Sequence, residues 1–108
     1  MPSYLVQASY TSDSMAALIK TPQNRMDVVR KAVKNLGGKL SGGWLSFGDY
    51  DVVLIAELPD HVSAAAIAMA AAAGGSLRSI KTTPLLTFEE GLEAAKKAAG
   101  SGYTPVQK

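Results

Sequence analysis

Residues 3–10 alternate along the chain, with Tyr4, Val6, Ala8 and Tyr10 on one side and Leu5, Gln7 and Ser9 on the other. A period of two predicts a strand. The period then lengthens: Met15, Leu18 and Ile19 stand at helical spacing, and Thr11 or Ser12 is placed to cap a short helix. Thr21-Pro22 interrupts it. Proline suits the first turn of a helix and not its interior, so a second helix is expected to start there with Thr21 as its cap. Along that helix Met26, Val29, Val33 and Leu36 form an apolar stripe opposite Asp27, Arg30, Lys31 and Lys34, and Gly37-Gly38 stops it.

A second strand is expected over Lys39 to Phe47, with Gly42-Gly43 marking a bulge or a close approach. Gly48-Asp49-Tyr50-Asp51 then reverses the chain into a third strand over 50–58, which predicts a β-hairpin. The third strand is apolar on both faces, so a central place in the sheet is expected. Pro59 ends it, and Asp60 is placed to cap an alanine-rich helix over about 61–73 that Gly74-Gly75 closes. The polar pattern of 77–83 suits a fourth strand at a sheet edge. Thr87-Phe88-Glu89-Glu90 spells a capping box for a last helix to about Ala99, with Phe88, Leu92, Ala95 and Ala99 on one face.

The expected order is therefore β-α-β-β-α-β with an additional C-terminal helix, an α+β chain. Short connections and right-handed crossovers give a split βαβ arrangement, a four-stranded antiparallel sheet with helices on one face. The other face, bearing Val53 and Ile55, carries too much apolar surface to stay in water. Back-to-back pairing of two sheets in a symmetric homodimer is the simplest way to cover it.

Composition narrows this picture without redirecting it. A chain of 108 residues is one domain, expected over 1–99, with a flexible tail over 100–108. The absence of Cys removes disulfides and thiolate metal sites and fits a reducing compartment. Neither a signal-peptide pattern at Met1-Pro2-Ser3-Tyr4 nor an apolar run near the ~20 residues of a membrane span is present, so a cytoplasmic protein without membrane partners is expected. The net charge of +2 comes from interspersed signs, and the local cluster of Arg25, Arg30, Lys31 and Lys34 reads as a solvated helix face rather than a nucleic-acid patch.

Gly48-x-Tyr50-Asp51 at this hairpin resembles the signature of the GYD domain family of small bacterial and archaeal proteins. Tyr10-Thr11, Lys20-x-Pro22, Leu36-Gly37-Gly38-Lys39 and the apolar strand ending before Pro59-Asp60 are similar to that family at the same places, so the resemblance spans about residues 3–95. It implies a ferredoxin-like protomer that pairs as a dimeric α/β barrel, and it implies no assigned reaction.

The candidate chemistry is sparse. The third strand lacks the aromatic side chains an RNA-stacking sheet needs, and the single histidine, His61, cannot form a His cluster within one protomer, so neither nucleic acid, metal nor cofactor is expected. His61 reads either as a solvent-facing residue at a helix start or as a general base. Strand alternation places Asp51 with Val53, Ile55 and Glu57. Its carboxylate is expected to accept hydrogen bonds within its own turn, to pair with Arg78 or Lys81, or to serve a site. Tyr50 reads as hairpin packing or as its companion in that site. Tyr10, Gln7, Trp44 and Glu57 are expected either to line a cavity against the uncovered face or to join a packed dimer core. The candidate ligand-binding residues are thus Tyr10, Trp44, Tyr50, Asp51, Glu57 and His61. The preferred reading is a homodimeric binding or regulatory module, with a small organic ligand as one partner. The alternative is a cofactor-independent, monooxygenase-like enzyme of the dimeric α/β barrel type, using Asp51, Tyr10 and His61 as acid–base groups.

Overall fold

β1 (Ser3–Tyr10), β2 (Lys39–Leu45), β3 (Val52–Glu57) and β4 (Leu77–Leu85) make one antiparallel sheet in the order β2-β3-β1-β4, in a computed structural model that describes residues 1–106. β3 is central and β4 is an edge, in keeping with the apolar pattern of one and the polar pattern of the other. The helices are α1 (Ser12–Lys20), α2 (Met26–Asn35), α3 (His61–Ala73) and α4 (Phe88–Ala99). α1 packs on β1, α2 on β2 and α3 on β4. The register sets Tyr4 opposite Ala56, Val6 opposite Leu54 and Ala8 opposite Val52, so these six share the helix-covered face. Tyr4, Val33, Ala56, Leu58 and Ala64 form the buried core, flanked by Val29, Leu36, Leu40 and Ile67.

Local signals decide most boundaries. Thr11 caps α1 by accepting from the Ser14 N–H, and Asp60 caps α3 by accepting from the Ser63 N–H at 2.8 Å. Thr87 and Glu90 close both halves of the capping box on α4. At the end of α2, Gly37 adopts φ +82°, its N–H donates to the Lys34 carbonyl and the Gly38 N–H to the Val33 carbonyl, the paired bonds of a Schellman stop. The glycine doublet in β2 coincides with a register shift between Leu40 and Gly42.

Several boundaries depart from the expected ones. α2 begins at Met26, not at Thr21. Thr21 instead ends α1, donating its N–H to the Ala17 carbonyl, and Pro22 disfavours a helical conformation at the residue before it. The Met26 N–H is satisfied by Asn24 Oδ1 at 2.9 Å, so residues 21–25 form a connection. β2 and β3 are also shorter than expected, ending at Leu45 and starting at Val52, because Ser46 N–H to Asp51 carbonyl (2.8 Å) closes the hairpin and releases 46–51 as its loop. β4 runs on through Pro84, a residue the ladder accepts on an edge strand. Beyond α4, Tyr103 and Val106 are exposed, while Gln107 and Lys108, the end of the expected tail, lie outside the described residues.

The Asp60 cap is a pH-sensitive contribution to stability. The Ser63 N–H, joined by the Ser63 hydroxyl, holds its carboxyl below the usual carboxylate range. A lowered native pKa stabilises fully above the unfolded value of about 3.9 and is lost as pH falls through the native one. Thermal unfolding at pH 7 and near pH 2 is therefore expected to show a smaller acid loss in Asp60→Asn than in the parent chain. An equal loss in both would assign the acid sensitivity to other carboxylates.

Candidate functional site

Two surfaces qualify as a site: the helix-free face of the sheet, and a groove at the hairpin end of its helix-covered face. The register brings Gln7, Val53 and Trp44 side by side on the helix-free face, with Leu5 and Ile55 in the next row. Gly42 makes room for the Trp44 indole, since a Cβ there would come within 2.8 Å of the ring. Trp44 nevertheless stays 59% exposed. Glu57 lies at the far end of this face, opposite Ser3 and Lys39, where Ser41 Oγ donates to its Oε2 at 3.3 Å.

The groove has a volume of about 730 Å³ and lies between α1, the 21–25 connection, α2 and the β2–β3 hairpin. Met15, Leu18, Met26 and Leu54 give it apolar walls, while Tyr10, Arg25, Ser46 and Asp51 add polar groups. That size and mixture suit a small organic molecule or an apolar side chain of another protein. Gly43 is part of its wall because a Cβ there would meet the Met26 sulfur at 2.7 Å.

Asp51 holds the hairpin to the first strand. Its Oδ2 accepts from the Tyr10 N–H at 2.8 Å, and its own N–H donates to the Ala8 carbonyl at 2.8 Å. The partner of its carboxylate is therefore on β1, outside both its own turn and the fourth strand. The loop is fastened further by Ser9 Oγ donating to the Asp49 carbonyl (2.8 Å) and Ser46 Oγ donating to the Tyr50 carbonyl (2.7 Å). Asp51→Ala is expected to destabilise by about 1–3 kcal/mol by leaving a part-buried donor unpaired, whereas Asp51→Asn keeps an acceptor and most of the stability. Urea midpoints of the two variants check this, and equal losses would mean that charge rather than the hydrogen bond matters.

The six candidate residues thus separate. Tyr10 and Asp51 line the groove, and Trp44 borders it while its side chain shares the helix-free face with Val53. Tyr10 belongs to the helix side with Tyr4, Val6 and Ala8, not to a cavity shared with Gln7 and Glu57, and Asp51 leaves the face of Val53 because β3 starts one residue after it. Tyr50 contributes its carbonyl to the loop. His61 stands elsewhere, its Nδ1 hydrogen-bonded at 2.7 Å to the hydroxyl of buried Tyr4, with the two rings edge to face. Sequence reasoning did not identify Arg25, Met15 or Met26 as groove residues. Pro22 was the available signal, since it opens the connection that forms the groove floor.

Comparison with known proteins agrees with the hairpin signature. The GYD domain family matches residues 4–95. The chain is 25% identical over 80 residues to a Thermus thermophilus protein named "Glutamine synthetase and cystathionine beta-lyase binding protein", covering 74% of this chain and 84% of that protein. No solved structure matches the chain significantly. No helix among the described residues is long and apolar enough to cross a membrane.

Proposed function

Because this chain belongs to the GYD domain family, we propose that it is a homodimeric interaction module that pairs through its helix-free sheet face and docks on a second, different protein. The strand order β2-β3-β1-β4 supports a ferredoxin-like protomer, and two such protomers meeting sheet to sheet would make a dimeric α/β barrel. The observation that carries the reading is the helix-free patch of half-buried Leu5, Val53 and Ile55 beside exposed Trp44, an apolar surface that water disfavours. A relative named for binding two enzymes supports a protein as the further partner. With the sheet face used for pairing, the outer side of α3, where Val62 and Met69 are exposed, remains for that contact.

Trp44 is the only tryptophan and reports on the face directly. Light scattering is expected to give twice 11.2 kDa, with Trp44 emission blue-shifted and protected from iodide quenching until the protein is diluted to monomer. A monomer with freely quenched Trp44 would remove the sheet-face dimer. Co-sedimentation with purified glutamine synthetase and cystathionine beta-lyase tests the second partner, and failure with both removes that partner class while leaving the dimer.

The groove supports a second reading, in which Tyr10 and Asp51 hold a small organic ligand. Asp51→Asn is the discriminating variant: a ligand that needs the carboxylate is lost while the fold remains. The enzyme version asks for Tyr10, Asp51 and His61 together, and His61 is engaged with Tyr4 instead.

A further inference from the structure

α4 is a helix without a surface to lie on. None of its side chains is buried, and among the described residues it makes no substantial contact with another element. Phe88 is fully exposed and Leu92 is 59% exposed. Yet the helix is thoroughly specified, by its capping box, by Glu89 and Glu90 in the first turn and by Lys96 and Lys97 in the last. Isolated helices of about this length are marginal in water, so such a segment draws its stability from docking.

The dimensions of the whole molecule point the same way. A folded 11.2 kDa monomer exposes about 5,700 Å² by the usual scaling, whereas this chain exposes 7955 Å². Its radius of gyration is 17.3 Å, against about 13 Å for a compact chain of this length. The excess area, about 2,200 Å², exceeds the roughly 800 Å² that each partner covers in a standard interface and suits an obligate dimer.

The apolar groove offers a matching receptor. It opens at the Tyr10 end of β1, while α4 leaves the sheet at the other end, where Leu85 pairs with Ser3. Eight strand residues separate these ends by about 24 Å, whereas Phe88 and Leu92 follow Leu85 by only three and seven residues, so they do not reach the groove of their own copy. The charges agree as well. Glu89 and Glu93 flank the Phe88–Leu92 stripe, while Arg25 lines the groove and exposed Lys31 and Lys34 stand along α2; the acids there are engaged, Asp51 by the Tyr10 N–H and Asp27 by Arg30.

We propose that α4 is an exchanged docking arm: Phe88 and Leu92 of one copy seat in the groove formed by α1, α2 and the hairpin of a second copy, with Glu89 and Glu93 toward Arg25 and the basic face of α2. This rests on the homodimeric reading above and extends it, since the sheet face alone leaves α4 uncovered. An arm in the groove also excludes a small ligand from the same recess.

The cysteine-free chain permits a direct test. Glu89→Cys and Arg25→Cys variants, mixed and treated with a short bismaleimide, are expected to give a cross-linked heterodimer at least tenfold above either variant alone. Adding Phe88→Glu to the arm variant is expected to abolish it, with circular dichroism confirming that the body stays folded. A dimer with protected Trp44 but no arm-to-groove cross-link would overturn the arm and leave the sheet-face dimer standing. A monomer without cross-link would overturn both. Cross-linking that survives Phe88→Glu would also overturn the arm, because the stripe would not be what seats it.

Discussion

Leu58→Ala is expected to lower stability by roughly 2–5 kcal/mol, the range for emptying a leucine site in a packed core. Leu58 is the most completely buried side chain, enclosed by Tyr4, Val33, Ala56 and Ala64. Its surroundings cannot collapse easily into the void. The Leu58 N–H is tied to the Pro2 carbonyl at 3.0 Å, and its neighbours belong to a central pair of strands and two helices. Against a total of about 5–15 kcal/mol for a typical domain, such a loss is a large fraction. Urea unfolding at fixed protomer concentration is the suitable measurement, with the midpoint falling and the slope unchanged. A loss below about 1 kcal/mol would mean that the core is looser than described.

Gly38→Ala is expected to destabilise by the opposite route, about 1–3 kcal/mol of overpacking. A Cβ at Gly38 would run into the Glu57 carbonyl oxygen, within 2.7 Å of Leu58 Cδ2 and 3.1 Å of Val33 Cγ1. The first obstacle is backbone at the end of the central strand β3 and cannot rotate away. The neighbouring Gly37 serves a different need: its φ of +82° makes Gly37→Ala a strain of roughly 1–2 kcal/mol with only Pro59 nearby at 3.3 Å. The two large predictions are coupled. In the double variant, removing Leu58 relieves one of the Gly38→Ala collisions but not the Glu57 carbonyl, so the losses are expected to sum to less than their total. Full additivity would place the whole Gly38 effect on the backbone.

Caps and stops were legible because they depend on residues a few positions apart. Thr87 and Glu90, Asp60 before α3, and Gly37-Gly38 after α2 all act within one turn, and their side chains do what their types allow. The start of α2 was not legible, because Thr21 can cap a new helix or end an old one, and the packing of Met26 beside Gly43 and Leu54 is not visible in the sequence. Of the candidate site, Tyr10 and Asp51 were identifiable by residue type and placement. Their meeting around a groove was not, since it depends on where the 21–25 connection passes.

Periodicity, glycine doublets and the hairpin signature determined by themselves the elements, the antiparallel sheet and the family, because each is a relation between near neighbours or a fixed string of residues. Asp51 marks where that power ends. Alternation assigns its side chain the face of Val53, but its carboxylate accepts from the Tyr10 N–H on β1 and the residue lines the groove on the other face. The isolation of α4 is the other such case. Its apolar stripe is plain in the sequence, and only the tertiary structure shows that no part of the same chain covers it among the described residues, because covering is a property of surfaces brought together by the fold.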